Sequence, residues 1–594
     1  MTAVESVDAP DPRSPASHPA RAALAILLLT LVGFVLPLVV ARHYGALGAA
    51  RGDDWSYLLT LFRWVDTGHL AFNGWVSMSL VGQLLLAAPI VVARGNAIAL
   101  VQAETAVIGL GGLVALAVLG RRLGLSWGVT TFVAVTIAVS PLWLILSTTY
   151  MTDVPAFAVS TLAMLLATVA IQRRPVSMPL LVVAFVIAIF SVTIRQYAIV
   201  PVVAIVIAGA IALRAEPDRR RAVVGVFAVL LGTLFVVAFF AWWYSVPDAK
   251  TLSPRIPSPR SVRTTVIKGA GYFRLAGLLL APVLCWAGPI RILRRAWVAG
   301  RTLTVVAIVT AAGWEAIALT RNPFSQFVGN YVIRDGALSI AVLPGRRPSV
   351  VPDPIWYTMV AVGCIGAVLL IVATVPTVVR LVDRVRRCEF DVDPVTSLLG
   401  LTVFGFVLAY GLAMVTGVQV HDRYSLPAIA VAALLLARSA PTDRSVARTA
   451  AAGVALALLA VIGLNAAVDS ASFDGGRWRL AQRIERTEHL RAGQIGGGFE
   501  WVNYHRGRHV IGAPARGRDW VLPDGRVVRV VAHCVNLRVR GPDTPANVAP
   551  AIASIRYVAP LRPDARIVAV RSSRPCVPPP GATPLVRTGT TAAP

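Results

Sequence analysis

Acidic side chains stand at two points where an apolar run meets a short polar stretch. Asp53 and Asp54 lie in ARGDDWSYLL, directly after the first apolar run, and Asp153 lies in TTYMTDVP, just before a later one. A carboxylate is costly to keep beside the low dielectric of a bilayer, so both placements favour a functional interpretation. A carboxylate can take a proton from a hydroxyl, and it can offset positive charge that develops on a reacting carbon.

The spacing around the first pair predicts that its two carboxylates have different surroundings. In a helix Asp53 shares a face with Tyr57, while Asp54 points about 100° away, so one carboxylate can act while the other supports it. The alternative is that the pair only caps the helix N-terminus, which aspartate does well. Capping is also a sufficient explanation for Asp153, because Pro155 follows it in the first helical turn.

Cationic and aromatic groups recur at comparable positions later in the chain. Arg195 and Gln196 lie in TIRQYAIVP between two short apolar runs, where a guanidinium can bind a phosphate bidentately and stabilise a leaving group. Arg195 has two alternatives, which are snorkelling to lipid phosphate and pairing with an acidic residue. In HDRYSLP, residues 421–427, Asp422 with Arg423 is either part of a site or an internal ion pair. No CxxC or histidine-rich spacing predicts a structural zinc site, and no cofactor follows from the sequence, although a divalent metal is left open.

The composition predicts that membrane-spanning helices hold these residues in place. Of 594 residues, 56% are hydrophobic and only 14% charged, and the mean hydropathy is +0.70. Apolar runs of about bilayer length recur, so we expect an all-α polytopic membrane protein with about thirteen transmembrane helices. The expected spans are 22–41, 97–119, 127–147, 155–171, 179–194, 198–213, 222–243, 274–290, 302–320, 355–379, 396–418, 424–438 and 448–467.

The net charge of +27 is spread between the apolar runs and does not form one basic stripe, which argues against nucleic-acid binding. The positive-inside rule puts the arginine clusters on the cytoplasmic side if the segment 77–93 lies along the interface or re-enters instead of crossing. The candidate residues then share the extracytoplasmic side. Lysine occurs only at positions 250 and 268, which we interpret as compositional bias and not as chemistry. The arginine clusters are Arg121 with Arg122, Arg173 with Arg174, Arg219 to Arg221, Arg294 with Arg295, and Arg384 with Arg386 and Arg387.

Four regions are predicted along the chain. Residues 1–21 form a disordered cytoplasmic N-terminus, and 22–468 form the transmembrane domain, in which 43–96 is a first outer loop with juxtamembrane helices. Residues 469–580 form a small extracytoplasmic α+β domain with strands within 526–539 and 565–573 and a turn at Gly496 to Gly498. A disordered tail, 581–594, completes the chain. Cys534 and Cys576 could pair if this domain faces an oxidising compartment.

The order of these motifs resembles the GT-C superfamily of polyprenyl-phosphate-sugar-dependent glycosyltransferases, and most of all the branch of protein O-mannosyltransferases and the lipid A aminoarabinose transferase. The likeness covers roughly residues 20–470. It implies a GT-C-like fold in the cell membrane and inverting transfer of a sugar from a polyprenyl-phosphate donor to a hydroxyl of an envelope glycan, lipid or protein. It implies that Asp53 is the catalytic base and that Asp153 assists. With Asp54, these are the expected catalytic residues, and the expected substrate-binding residues are Tyr57, Tyr150, Arg195, Gln196, His421, Asp422 and Arg423.

Two other classes of function remain open at this stage. A transporter or flippase for a lipid-linked saccharide would line its path with Arg195 and the acidic residues. Charged residues near mid-span would favour transport, yet Glu104 and Glu315 are the main isolated acids within expected spans, whereas the other candidates cluster outside them. A non-enzymatic scaffold for envelope assembly is the third possibility, because carboxylate placement alone does not establish catalysis.

Overall fold

The computed structural model describes residues 19–214, 218–250, 255–321, 326–338, 342–345, 347–387, 392–440, 445–507, 518–524, 526–541, 550–577 and 580–584. Most of the two predicted disordered ends, residues 1–18 and 585–594, lies outside this described part.

Helices make up the part of the chain before residue 488. They are α1 (Pro19–His43), α2 (Asp54–Thr67), α3 (Val81–Arg94), α4 (Ile98–Arg122), α5 (Trp127–Ala138), α6 (Pro141–Leu146), α7 (Asp153–Gln172), α8 (Met178–Ile194), α9 (Gln196–Arg214), α10 (Arg219–Ser245), α11 (Pro259–Leu279), α12 (Ala281–Ala287), α13 (Pro289–Ala299), α14 (Arg301–Arg321), α15 (Asp353–Arg386), α16 (Pro394–Val415), α17 (Leu426–Arg438) and α18 (Val446–Thr487).

The chain is a multi-pass membrane protein. Within the described residues, nine helices are long and apolar enough to cross a bilayer, or ten if the bent pair α11–α12 forms one span. Each of the expected spans overlaps a helix or helix pair. However, α17 has 13 residues and rises only about 20 Å, less than the roughly 30 Å hydrocarbon core. The number thirteen therefore stays a prediction.

The helices begin and end where the sequence supplies local signals. Ser126 and Ser140 accept hydrogen bonds from the free amides at the starts of α5 and α6, and Asp393 does the same for α16. Between the long helices α11 and α15, Gly277 lies against Gly366 so closely that an added Cβ would sit 2.5 Å from backbone atoms. This contact lets the two helix backbones approach each other.

Arginine clusters and candidate site residues lie at opposite ends of the bundle. α7 begins at Asp153 and ends next to Arg173, while α4 carries Gln102, which contacts Asp54, near its start and has Arg121 and Arg122 at its end. The segment predicted not to cross contains α3, a 14-residue helix. Its first turn packs against the C-terminal end of α8, at the same end of the bundle where α4 begins.

A small α+β region follows the helices. α18 runs for 42 residues, through the predicted boundary at 468, and its last turns pack under the sheet formed by strands β1 (Ile495–Gly496), β4 (Val535–Arg540), β6 (Ala565–Arg571) and β5 (Ala553–Tyr557), in that spatial order. A second sheet has the order β3 (Val527–Val530), β2 (Arg518–Val521) and β7 (Thr583–Pro584). Helix α19 (Phe499–Arg506) follows β1.

Several expectations for this region are confirmed. Strands occupy both predicted segments, and β4 and β6 pair antiparallel from Val535 opposite Arg571 to Arg540 opposite Arg566. The predicted turn at Gly496 to Gly498 connects β1 to α19, and Gly498 has a φ of +102°, which favours glycine. Cys534 and Cys576 form a disulfide.

Candidate active site

Four charged side chains form a chain of alternating sign at one end of the helix bundle. The carboxylate of Asp53 lies 2.7 Å from Nη2 of Arg423. Nε of Arg423 lies 3.6 Å from Oδ2 of Asp153, and the same oxygen lies 3.5 Å from Nη1 of Arg195. Residues from α7 and from the segments before α2, α9 and α17 therefore meet although they are far apart in sequence, and their formal charges cancel.

Of the four residues in this charge chain, Asp53 has the most exposed side chain. It occupies the N-cap position of α2, but its carboxylate caps no backbone amide. One oxygen accepts a hydrogen bond from Nε1 of Trp75 at 2.9 Å, and the other accepts from Arg423. The side chain is 22% exposed, compared with 2% for Arg423 and 0% for Asp153. Asp53 therefore has an accessible carboxylate in a fixed orientation.

The surroundings keep Asp53 ionised. Burial alone would raise the pKa of its carboxyl, but the guanidinium of Arg423 and the indole N–H of Trp75 outweigh burial and lower that pKa below its ordinary value. At neutral pH Asp53 is a carboxylate that can accept a proton.

Asp422 positions the backbone around Arg423. Its Oδ2 accepts hydrogen bonds from the amides of Tyr331 and Val332 at 2.8 and 2.7 Å, and its Oδ1 accepts from the amide of Arg423 at 2.8 Å. The guanidinium of Arg423 is directed instead to Asp53 and Asp153. Asp422 and Arg423 therefore have separate partners. Asp422 binds backbone amides of the outer loop, and the Arg423 side chain pairs with Asp53 and Asp153.

Arg195 is buried at the other end of the charge chain. It donates to the hydroxyl of Thr152, and its guanidinium carbon lies 4.3 Å from the ring centre of Tyr424 and 5.3 Å from that of Tyr197. Cation–π contacts of this kind stabilise a guanidinium away from bulk water. Asp153, the first residue of α7, has no hydrogen-bond partner for either oxygen within the described structure, so it holds its neighbours by charge and not as a helix cap.

Asp54 has different partners from Asp53 and is not part of the charge chain. Its oxygens accept hydrogen bonds from the amide of Arg51, from the amide of Tyr150 at 3.3 Å and from the side chain of Gln102 at 3.4 Å. Burial raises the pKa of this carboxyl to about 7. The structure thus separates the two carboxylates, with Asp53 in the charge chain and Asp54 buried in the loop that precedes α2.

The remaining expected residues surround the site to different degrees. The buried hydroxyl of Tyr57 donates to Sδ of Met78 at 2.8 Å, and that of Tyr150 donates to the carbonyl of Gln83 at 3.1 Å. The side chain of Gln196 donates to the carbonyl of Ser77 at 2.8 Å. The first contact lies within the first outer loop, and the other two join that loop to the segments before α7 and at the start of α9.

His421 faces the ring of Tyr424, with ring centres 5.6 Å apart, and its carbonyl accepts a hydrogen bond from Tyr272. Burial and the positive charge of Arg423 lower the pKa of His421 to about 3, so the imidazole is neutral at physiological pH.

The sequence analysis missed Trp75, Phe499 and Lys250. Trp75 donates to Asp53, and its ring lies 5.3 Å from that of Phe499 in the C-terminal region. Nζ of Lys250 lies 4.1 Å from the centre of the same indole. Lysine occurs only at positions 250 and 268, and this rarity is the one signal that could have singled out Lys250.

The donor set does not suit a divalent metal. Among the described residues, no group of three or more His, Cys, Asp and Glu side chains is placed to hold an ion. The two carboxylates nearest each other in the charge chain, Asp53 and Asp153, are bridged by Arg423, which a bound cation would have to displace.

Comparisons with solved structures give matches at low identity. ArnT from Cupriavidus metallidurans bound to undecaprenyl phosphate aligns over 94% of this chain and 99% of its own, with 12% identity and a TM-score of 0.41. The Archaeoglobus fulgidus oligosaccharyltransferase in its apo form aligns over 84% of this chain and 64% of its own, with 14% identity and a TM-score of 0.44. AglB from the same organism, in complex with an inhibitory peptide and a dolichol-phosphate, gives 13% identity and a TM-score of 0.41 over 83% of this chain and 64% of its own.

These enzymes are GT-C superfamily polyprenyl-phosphate-dependent glycosyltransferases, the superfamily whose motifs this sequence resembles. No protein-family model and no curated protein matches the chain.

Proposed function

We propose that the chain is an inverting glycosyltransferase that moves a sugar from a polyprenyl-phosphate-linked donor to a hydroxyl of an extracytoplasmic acceptor, which is an envelope glycan, lipid or protein. The observation that carries the proposal is the position of Asp53, an accessible carboxylate held by Arg423 and Trp75 at the open end of a buried charge chain. The arrangement supplies a base and a cationic surface within one site.

Asp53 acts as the general base. Its carboxylate takes the proton of the acceptor hydroxyl while the acceptor oxygen bonds to the anomeric carbon from the face opposite the leaving group. The bond from that carbon to the phosphate oxygen breaks, and polyprenyl phosphate leaves with the electron pair. The proton then passes from Asp53 to water. Attack from the opposite face inverts the configuration of the sugar, and the negative charge of Asp53 and Asp153 offsets positive charge on the ring.

Arg195 and Arg423 stabilise the phosphate as its negative charge grows. Nη1 of Arg423 is buried without a hydrogen-bond partner in the described structure, and the ion pairs with Asp53 and Asp153 use the other two nitrogens, so this guanidinium keeps one donor for the phosphate. Asp153 lies between the two arginines and orients both, and through Arg423 it orients the base. A lipid-linked donor suits a site at the end of membrane helices, where the phosphate of the carrier lies near the interface.

The arginine clusters lie at the other end of the bundle, which by the positive-inside rule supports an extracytoplasmic position for the site. The transporter alternative loses one of its supports. Glu315, counted as an isolated acid, forms a buried ion pair with Arg274, in which Nε of Arg274 lies 2.8 Å from Oε2. Its pairing explains its position without a transport path.

The test compares wild type with Asp53→Asn in membranes that contain the full chain. The probes are undecaprenyl-phosphate mannose, undecaprenyl-phosphate arabinose and undecaprenyl-phosphate aminoarabinose, each radiolabelled in the sugar, with endogenous envelope material as acceptor. We expect the wild type to incorporate label from one donor and Asp53→Asn to lose at least about 1,000-fold in rate, since no other group in the site replaces the base.

The matched control is Asp54→Asn, which changes the neighbouring carboxylate in the same way. It should insert and keep transfer within about tenfold of wild type, because Asp54 is not part of the charge chain. Equal incorporation by wild type and Asp53→Asn would exclude Asp53 as the base. Movement of labelled lipid across the bilayer without incorporation would favour the transporter.

A further inference from the structure

Helix α19, in the C-terminal region, contacts the loop before α2, in which Asp53 lies. The side chain of Glu500 is 1% exposed, and its Oε1 accepts a hydrogen bond from the amide of Gly52 at 3.2 Å. Its other oxygen lies 3.0 Å from Nη1 of Arg477, which also pairs with Asp474 at 3.1 Å. The partner of the Gly52 amide is therefore itself fixed by a buried arginine of α18.

Gly52 controls the direction in which Asp53 leaves the loop. Its φ is +61°, in the left-handed region, and an added Cβ would lie 3.0 Å from a methyl of Leu338 and 3.2 Å from the hydroxyl of Tyr331. Glycine adopts this region without steric cost and is conformationally free, so the hydrogen bond from its amide helps to fix the loop here. The contact with Glu500 therefore acts one residue before the base.

Phe499 reaches the same base by a second route. Its ring packs against Trp75 with 5.3 Å between centres and against Trp55, in the first turn of α2, with 6.0 Å between centres. The indole N–H of Trp75 is the group that donates to Asp53 at 2.9 Å. A ring that fixes the plane of Trp75 thus also fixes the direction of that hydrogen bond.

We propose that Phe499 and Glu500 are positioning residues for Asp53, with Glu500 holding the Gly52 amide and Phe499 holding the indole of Trp75. The C-terminal region is then part of the active site and not an accessory domain. This inference rests on the proposed function of Asp53 as base, but the two contacts themselves can be tested without activity.

The expected kinetic effect is a loss of turnover without a loss of donor binding. A displacement of about 1 Å at a catalytic group can cost about 100-fold in rate. Phe499→Ala should lower kcat about 10- to 100-fold, with KM for the labelled undecaprenyl-phosphate donor changed less than about threefold. Phe499→Tyr, which keeps the ring, should restore kcat to within about threefold of wild type.

The pH profile separates positioning from a general structural defect. The charged and titratable groups that act on Asp53 or are acted on by it are Arg423, His421, Tyr57 and Tyr331. Phe499→Ala leaves all of these in place and weakens the Trp75 hydrogen bond. We expect the acid limb of kcat against pH to move upward by about half a pH unit or more, because a hydrogen bond to the carboxylate lowers its pKa.

Glu500 is tested by Glu500→Ala and Glu500→Gln, since glutamine keeps an oxygen that can accept from Gly52. Hydrogen–deuterium exchange of the full chain in detergent measures the peptide over residues 47–58. Exchange there should be at least about tenfold faster in Glu500→Ala and closer to wild type in Glu500→Gln. His505→Gln is the control, because His505 is an exposed residue of α19 whose contacts are with Trp501, Trp478 and Tyr504.

The outcomes distinguish the two proposals. Faster exchange in Glu500→Ala together with low kcat in Phe499→Ala supports positioning. Unchanged exchange over residues 47–58, or loss of kcat to the same degree in His505→Gln, overturns it. If the wild type transfers sugar but Asp53→Asn does too, the proposed base fails even if the exchange data show that Glu500 fixes the loop.

Discussion

Nη2 of Arg423 lies 2.7 Å from Oδ2 of Asp53, although 370 residues separate the two in sequence. The short loop before α17 thus reaches the loop before α2, and Nε of the same guanidinium lies 3.6 Å from Asp153 at the start of α7. One side chain therefore links two carboxylates that belong to separate membrane-domain segments. The planar fork of arginine suits this bridging, since it can point different N–H groups at different partners.

Arg423→Lys should therefore inactivate the protein even though it keeps the charge. A lysine ammonium is a compact charge on a flexible stem and cannot hold both carboxylates in the same directions. We expect kcat to fall about 100-fold or more in a protein that still folds, measured as transfer from the labelled undecaprenyl-phosphate donor. Arg438→Lys, at an exposed pair with Asp393, is the control. A variant with more than about a third of wild-type kcat would show that the bridge is not needed.

Asp54→Asn should change the pH dependence of stability. The pKa of Asp54 is about 7 in the folded protein, whereas the ordinary value for an aspartate is 3.8. Between these values the unfolded chain has lost the proton that the folded chain still holds, so stability falls as pH rises from about 4 to 7. At roughly 1.4 kcal/mol per pH unit, the loss amounts to about 4 kcal/mol at most.

Asparagine cannot ionise, so this part of the pH dependence should be absent from Asp54→Asn. Apparent unfolding temperature in detergent, measured at several pH values for both proteins, tests the expectation. Wild-type and variant curves that stay parallel between pH 4 and 7 would contradict it.

His421 should take no part in proton transfer near neutral pH. Its pKa is about 3 in the folded protein, so the imidazole stays neutral from pH 5 to 8. We expect His421→Gln to leave the shape of the pH–rate profile unchanged over that range, even where it lowers the rate through lost packing on Tyr424. If the profile of the wild type has an inflection near pH 6.5 that His421→Gln removes, the imidazole titrates in the site and this prediction is wrong.

The same low pKa has a consequence for stability. Below pH 6.5 the unfolded chain binds a proton at His421 that the folded chain does not, so this residue destabilises the fold progressively as pH falls from 6.5 towards 3. His421→Gln should remove that contribution and flatten the acid side of the stability curve. An acid side that is equally steep in both proteins would contradict the assignment.

The sequence predicted much of the helical fold and the members of the charge chain, because both follow from local patterns. Apolar runs of bilayer length mark helices, and carboxylates or arginines at their ends stand out against that background. The spacing predicted different surroundings for Asp53 and Asp54 but not the partners of each, since Trp75, Gln102 and Tyr150 come from other segments. It also left the contact between Glu500 and Gly52 out of reach, because 448 residues separate the two.

The extent of α18 shows a second reason why the sequence does not predict every contact. The apolar pattern ends near residue 467 and predicts a domain boundary at 468, yet the helix continues to Thr487. Its polar continuation is buried all the same. Three of its charged residues are buried because they pair with charges from the outer loop, from the C-terminal region or from each other. They are Asp469, Asp474 and Arg477. Tertiary pairing of this kind leaves no periodic signal in the chain.

Asp469 joins the outer loop and the C-terminal region to α18. Its Oδ2 lies 3.0 Å from Nη2 of Arg347, and its Oδ1 lies 2.7 Å from Nε of Arg562. Arg347 and Arg562 are 4% and 7% exposed. The guanidinium of Arg347 also lies 3.9 Å from the ring centre of Phe473, and Arg562 donates to the hydroxyl of Tyr557 at 2.7 Å. One carboxylate thus pairs with two buried arginines from different parts of the chain.

Asp469→Ala should destabilise the protein by about 3 to 5 kcal/mol, because removing one partner of a buried ion pair leaves the other charge unpaired, and here two charges lose their partner. Asp564→Ala is the matched control, since Asp564 pairs with Arg556 in a bond whose side chains are 68% and 61% exposed. Water screens such a surface pair, so its loss should change stability little. Thermal unfolding in detergent and limited proteolysis of the C-terminal region measure both variants. Faster cleavage confined to Asp469→Ala would support the role of Asp469, whereas equal cleavage of both would show that other contacts hold the C-terminal region on α18.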